Sequence, residues 1–370
     1  MELSRYRIKT VSIALLAVSV VLYIFLLNYN GELAIRPNNQ VSDPILRPAL
    51  IAFADAVDAN TNNAKARMEL GMTYEGAGMN EYAEATYKQY AAQFPDRVIG
   101  WYRLAIVQQN QGKIEEAIKS LLKGADLAGP KMDSPHWQLA FWYIDIGDLE
   151  KASIQIGIAH AKKPNSMQVK IAKGRIALAE ENPSEAIAIL DNDRLIASVP
   201  DGYVYQLLGR AYRALGDEEK SRIAWSRAGQ KKPNWADPWI NLVVEHVTGL
   251  NAMRQEIMQL LRSKNVTDAR TRINEYFTYD KENRVVRRLD AKCNSLEGKM
   301  AKALNKYNRL ILEDSTDRAS IVLLAKLRMQ ITKFQTQEEI EITKALLETV
   351  LAISPEHAQA KLLLDMLPKE

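Results

Sequence analysis

The sequence predicts an all-α solenoid of stacked helical hairpins preceded by a single transmembrane helix. Three observations carry that expectation. Prolines recur at 95, 130, 164, 200 and 233, at steps of 35, 34, 36 and 33 residues. An aromatic residue recurs on the same period at Trp101, Trp137, Tyr205 and Trp239. Between these marks apolar residues fall three and four apart, the spacing of one face of an α-helix. No strand-forming alternation stands out, so no β domain is expected. A hairpin of this length cannot bury its own apolar face, so neighbouring units must stack.

The unit is clearest over residues 202–235. Tyr205, Leu208, Gly209 and Tyr212 share one side of a first helix, Gly216-Asp217 ends it, and Ile223, Trp225 and Ala228 continue the apolar pattern as far as Pro233. Glycine accepts the left-handed backbone common at helix ends, Asp217 can accept from the free N–H groups of the next helix, and proline lacks the N–H a helix needs. In these residues the chain resembles the tetratricopeptide repeat (TPR) family. The family pattern W-x2-L-G-x2-Y, A-x3-F, P is met by Tyr205, Leu208, Gly209, Tyr212, Ser221, Trp225 and Pro233, with three conservative departures. The resemblance implies a right-handed TPR superhelix.

Taken in order, residues 1–9 form a cytoplasmic amino terminus and 10–28 the expected transmembrane signal anchor. The stretch from Thr10 to Gly31 carries no charge, and its centre reads VSIALLAVSVVLYIFLL. At about 1.5 Å per residue, about 17–20 residues cross a hydrocarbon core of about 30 Å. A cleaved secretory signal is the rival reading, with Ala34 the one well-placed small residue near a cut site. Arg5, Arg7 and Lys9 before the span, against Glu32, Arg36, Asp43 and Arg47 after it, direct the amino terminus to the cytoplasm. The remainder is then extracytoplasmic, in the periplasm of a two-membrane bacterium. Residues 29–44 read as a polar linker and 45–63 as a capping helix. TPR repeats are expected over 64–250, at 64–97, 98–131, 134–163, 164–199 and 202–235, with a partial unit at 236–250. Residues 251–370 read as degenerate TPR-like helical repeats with a carboxy-terminal cap, or alternatively as a separate helical bundle.

Composition sets the outer limits on chemistry. At 47% hydrophobic residues over 370 positions the chain has ample apolar surface for a core, and a net charge of +4 requires no nucleic-acid partner. The single cysteine, Cys293, excludes an intramolecular disulfide and any multi-cysteine metal site. Its neighbour Lys292 could lower the thiol pKa. His136, His160, His246 and His357 lie far apart and outside any HExxH or CxxC setting. No GxSxG and no phosphate-cradling GxxxxGK[ST] occurs. No metal, cofactor or catalytic activity is therefore expected. Asn265-Val266-Thr267 is a glycosylation sequon, meaningful only in a eukaryotic secretory protein.

What the repeats offer instead is a groove. The resemblance implies that the helix face opposite the hairpin contact lines a concave surface. In the first repeat that face carries Lys65, Met68, Met72 and Glu75, and in the second Ile99, Tyr102, Ile106 and Gln109. The third supplies Pro135, Gln138, Trp142 and Asp145, and the fifth Tyr203, Gln206, Arg210 and Arg213. Several are large and apolar where solvent is expected, which marks a surface for a protein or peptide partner unless another part of the chain covers it. Some TPR domains hold a terminal carboxylate with Lys and Asn at the places where Met68 and Met72 stand here, so that activity is not implied.

A second candidate surface is basic. Arg284, Arg288 and Lys292 form one row at helical spacing, and Lys299, Lys302, Lys306 and Arg309 another. The rows could attract anionic lipid or an acidic partner, or stand as solvated faces partly neutralised by Glu282, Asp290 and Glu297. Nucleic acid is not expected, since no aromatic platform accompanies them. The expected function is a membrane-anchored scaffold or adaptor in an envelope assembly, secretion or biogenesis complex. The alternatives are an apocytochrome-handling subunit of cytochrome c maturation and an accessory subunit for enzymes of polysaccharide synthesis or export.

Overall fold

The computed structural model of the protein describes residues 19, 31–37, 41–192, 196, 202–229, 237–332 and 336–368. The expected segment 1–9 and, apart from Ser19, the expected span 10–28 lie outside these residues, as do Pro200, Pro233 and Trp235. Among the described residues there is no strand, and no helix is long and apolar enough to cross a membrane. The chain divides into two compact units, Met1–Val41 with Arg47–Val247, and Ser42–Leu46 with Thr248–Glu370.

The first unit contains most of α1 (Leu46–Ala59) and then five helical hairpins. These are α2 (Ala64–Gly76) with α3 (Asn80–Gln93), α4 (Val98–Asn110) with α5 (Ile114–Asp126), and α6 (Ser134–Asp145) with α7 (Leu149–Lys162). They are followed by α8 (Met167–Ala179) with α9 (Pro183–Leu190) and α10 (Tyr203–Ala214) with α11 (Glu218–Arg227). Within each hairpin the two helices pack on each other, and from α3 to α10 each second helix packs on the first helix of the next hairpin. A continuous apolar core runs from Tyr102 to Ala224 through the second to fifth hairpins.

One turn builds the hairpins. Gly78, Gly112, Gly147 and Gly216 have φ of +73°, +77°, +83° and +77°. The N–H that follows each reaches back to the carbonyl five residues earlier: Met79 to Tyr74, Lys113 to Gln108, Asp148 to Tyr143 and Asp217 to Tyr212. That bond closes an orphan helix carbonyl in the left-handed cap that glycine permits. Asp148 and Asp217 then accept from the N–H of Lys151 and Lys220 and so start the second helix. Where helices of a pair meet, a small residue is needed. A Cβ on Gly209 would stand 2.8 Å from Trp225 Nε1, and one on Gly71 or Gly174 would collide with Tyr87 or Leu190 in the same register.

Residues 31–37, within the expected linker 29–44, are tied to this unit rather than free. Arg67 donates to the Glu32 carbonyl, Gln89 to that of Leu33 and Tyr74 to that of Ile35. The Ala34 N–H donates to Asp58, and Arg36 pairs with Asp55 and Asp58. The expected partial sixth repeat takes a different course. Among the described residues its helix, α12 (Ile240–Glu245), is short and packs on α2 instead of continuing the stack.

The second unit is also built of hairpins: α13 (Leu250–Arg262) with α14 (Val266–Tyr279), α15 (Arg284–Leu296) with α16 (Met300–Glu313), and α17 (Arg318–Thr332) with α18 (Gln337–Ile353), followed by α19 (Ala358–Asp365). Residues 42–46 join it. Ile45 packs into its first core cluster, and Asp43 accepts from the N–H of Leu250.

Candidate functional site: the inner wall of the first unit

The first helix of each hairpin turns one face inward, and there the unit holds a cavity of about 440 Å³. Its wall comprises Glu75 from α2, Arg103, Ile106, Gln109 and Asn110 from α4, and Gln138, Phe141, Trp142 and Asp145 from α6, with Arg175 from α8, Tyr203 from α10, Ile240 from the start of α12 and Asp237 just before it. Six residues expected in a groove therefore meet: Ile106, Gln109, Gln138, Trp142, Asp145 and Tyr203. Glu75, on the same expected face, meets them.

The others do not line the cavity. Met68, Met72 and Tyr102 are buried rather than exposed, which corrects the expectation of open apolar groove residues there. At Tyr102 the cover comes from the chain itself, since Trp239 meets it edge to face with ring centroids 5.0 Å apart, beside α12, which packs on α2. Ile99 is half-buried. Gln206 donates to the Gly229 carbonyl, while Arg210 and Arg213 are exposed, the latter over the Trp225 ring.

At one end of the wall sits Arg103, with its side chain 0% exposed. Its Nε donates to Glu75 Oε2 at 3.1 Å, Nη2 pairs with Glu75 Oε1, and Nη1 donates to Asp237 Oδ2 at 2.7 Å. Tyr87 donates its hydroxyl to Glu75 at 2.8 Å. Burial by itself favours a neutral guanidinium, but the fields of Glu75 and then Asp237 outweigh it and raise the Arg103 pKa. Burial, followed by the charge of Glu75, likewise holds the Tyr87 phenol well above its ordinary value, so it stays a donor. Removing one member of such a buried set leaves an uncompensated charge, at a cost of about 3–5 kcal/mol. Further along the wall Arg175 pairs with Asp145 at 2.5 Å and lies over the Phe141 ring. That pair is more open to solvent and contributes at most about 1 kcal/mol.

Arg103, Arg175 and Asp237 were not legible as site residues. The one signal was Arg103 itself, a charge set between Tyr102 and Leu104 in an apolar run, where a charge must find a partner. Among the described residues the cavity wall carries no histidine, cysteine, serine or lysine. Among the described residues no group of three or more His, Cys, Asp or Glu is arranged to hold a metal ion.

The basic stripe of the second unit is largely spent on carboxylates. Arg284 pairs with Asp317 at 2.8 Å and with Glu313 and Asp314, and Arg288 with Asp317 at 2.9 Å. Lys299 pairs with Glu297, Lys306 with Asp290 and Arg309 with Glu313. Lys292 is half-buried and Lys302 exposed. Sequence spacing did not count Glu313, Asp314 and Asp317, which face α15 from the end of α16 and the turn after it. The expected effect of Lys292 on Cys293 is also corrected. The thiol is buried, and burial pushes its pKa up to about 11.

Together these features define a class, an α-solenoid of hairpin repeats with a mixed polar and apolar inner wall. Residues 68–133, from within α2 to the turn after α5, match the family model of the tetratricopeptide repeat, whose members form arrays of helical hairpins. Such arrays generally act as interaction scaffolds through their concave surface. No curated protein matches the chain. Among solved structures it is similar to a chain of the APC/C hetero-tetramer Cut9-Hcn1, at 14% identity over 86% of this chain and 45% of that chain, with a TM-score of 0.40. The protein thus spans less than half of that chain. A tetratricopeptide repeat protein from Parabacteroides merdae is 14% identical over 82% of this chain and 97% of its own, with a TM-score of 0.39. YrrB, a TPR protein with an unusual peptide-binding site, is 16% identical over 48% of this chain and 91% of its own, with a TM-score of 0.41.

Proposed function

We propose that the protein is a membrane-anchored, non-catalytic TPR scaffold that binds a protein or peptide partner along the inner wall of its first unit. The observation that carries this reading is the cavity of about 440 Å³, where side-chain amides stand beside apolar surface. Gln109, Asn110 and Gln138 offer donors and acceptors suited to a peptide backbone, and Ile106 and Trp142 offer apolar contact. The uncharged run at 10–28 supports the anchor, and Arg5, Arg7 and Lys9 support a cytoplasmic amino terminus with exported, periplasmic repeats. An envelope assembly, secretion or biogenesis complex fits that placement. Apocytochrome handling and service to polysaccharide enzymes remain the specific alternatives, and they differ in the partner captured. At the basic stripe the ion pairs favour a solvated ladder over a lipid site.

The test is crosslinking capture from membranes with the full chain and with the variant Gln109→Ala, Asn110→Ala, Gln138→Ala. Capture of the main partner is expected to fall at least tenfold at unchanged helical content. Undiminished capture would remove the inner wall from the function.

A further inference from the structure

We propose that residues 237–247 are a self-ligand of the inner wall, and that the external partner bears the same signature, a carboxylate two residues ahead of a tryptophan followed by a short apolar helix. The inference rests on the reading of the inner wall as a peptide site, and it identifies what that site recognises.

Four observations converge on it. Helix α12 abandons the stack and crosses to the first repeat, where it packs on α2. Asp237 uses both carboxylate oxygens: Oδ1 accepts from the Trp239 N–H at 2.8 Å and fixes the local turn, while Oδ2 accepts from the buried Arg103 at 2.7 Å. Trp239, positioned by that turn, meets Tyr102 edge to face at 63°. The fourth observation concerns how lightly the segment is held. Of α12 only Val243 is buried, whereas Leu242 and Val244 are 41% and 58% exposed.

A six-residue helix is far below the length that is stable by itself, so its order comes from the anchors at Asp237 and Trp239. Arg103 completes the logic. With the segment in place its side chain is fully buried; Glu75 takes Nε and Nη2, and Asp237 supplies the carboxylate for Nη1. The wall therefore demands an acidic ligand group at this place, and the chain supplies one from its own Asp237. An external peptide with the same pair of groups can replace these contacts one for one. It must compete with an intramolecular rival whose effective concentration is in the millimolar range, so breaking the internal anchor raises the apparent affinity for such a peptide.

The probe is a labelled synthetic peptide of residues 237–247, DPWINLVVEHV, titrated by fluorescence anisotropy into the full chain and into the variant Asp237→Asn, Trp239→Ala. The peptide is expected to bind the variant at least tenfold more tightly than the wild type, and a peptide carrying the same two substitutions is expected not to bind. Equal or absent binding to a variant of normal helical content would overturn the proposal. Should the variant fail to fold, hydrogen exchange on the wild type decides. Excess peptide must accelerate exchange at the amides of 240–247, and unchanged rates would refute the self-ligand. The two readings separate cleanly. Peptide binding together with undiminished partner capture by the Gln109, Asn110, Gln138 variant would keep the self-ligand and discard the proposed function, while lost capture without peptide binding would do the reverse.

Discussion

Among the described residues a single backbone conformation recurs at seven hairpin turns, and at two of them the residue is not glycine. Glu181 and Lys264 have φ of +57° and +59°, where Gly78, Gly112, Gly147, Gly216 and Gly298 stand in five other hairpins. The next residue is an asparagine in both cases. Asn182 and Asn265 close the bond to the carbonyl five residues back, at Ala177 and Leu260, and their side chains cap the next helix at Glu185 and Asp268. A side chain in the left-handed region costs about 1–2 kcal/mol, part of which glycine would forfeit in unfolded-state entropy. Lys264→Gly at this exposed site is therefore expected to stabilise the second unit by about 0.5–1 kcal/mol. Thermal unfolding of the full chain checks it, and an unchanged or lower midpoint would show that no strain is released. In the first unit the exception is the fourth repeat, 164–199. Its glycine mark is missing while its asparagine cap, a weaker sequence signal, carries the same turn.

Between elements, side chains that join one hairpin to the next are partly charged. Glu84 on α3 accepts from Lys113 at 2.7 Å, from Gln111 at 2.9 Å and from Gln108, all belonging to the second hairpin, and pairs with Lys88 on its own helix. Burial would raise its pKa, but the bonds from Lys113, Lys88 and the two glutamines bring it down to about 2, against 4.5 for a free glutamate. A depressed folded-state pKa means stability that is fully present above pH 4.5 and is lost as the pH falls toward 2. Asp317 in the second unit, at about 2, acts in the same sense. Glu84→Gln should destabilise the chain at pH 7 and narrow its difference from wild type as the pH falls through that window. Urea midpoints at pH 7 and at pH 2 test this, and a gap that stays constant would deny the Glu84 link. The 3.6-residue spacing reports which side of a helix is apolar. It does not report which neighbour covers that side. Hence Met68, Met72 and Tyr102 read as an open groove, and nothing in DPWINLVVEHV disclosed that α12 turns back onto α2.

At the scale of the whole chain the proposed anchor, with its flanking charges, predicts the side of the membrane on which the repeats would lie. Three cations within residues 1–9 precede the uncharged run, whereas the far flank opens with Glu32, and an excess of Lys and Arg stays cytoplasmic during insertion. The structure adds a constraint on reach. Because Glu32 to Arg36 are fastened to Arg67, Gln89, Tyr74 and Asp58, a span ending at residue 28 leaves only a few residues of tether. At about 3.3–3.6 Å per extended residue the proposed anchor would hold the first unit close to the membrane surface. A reporter that fluoresces only in the cytoplasm, fused at Glu370, is therefore expected to stay dark, and the fusion to remain in the membrane pellet after carbonate extraction. Release into the soluble fraction would mark the run as a cleaved signal near Ala34. A bright, membrane-bound fusion would reverse the orientation and turn the inner wall toward cytoplasmic partners.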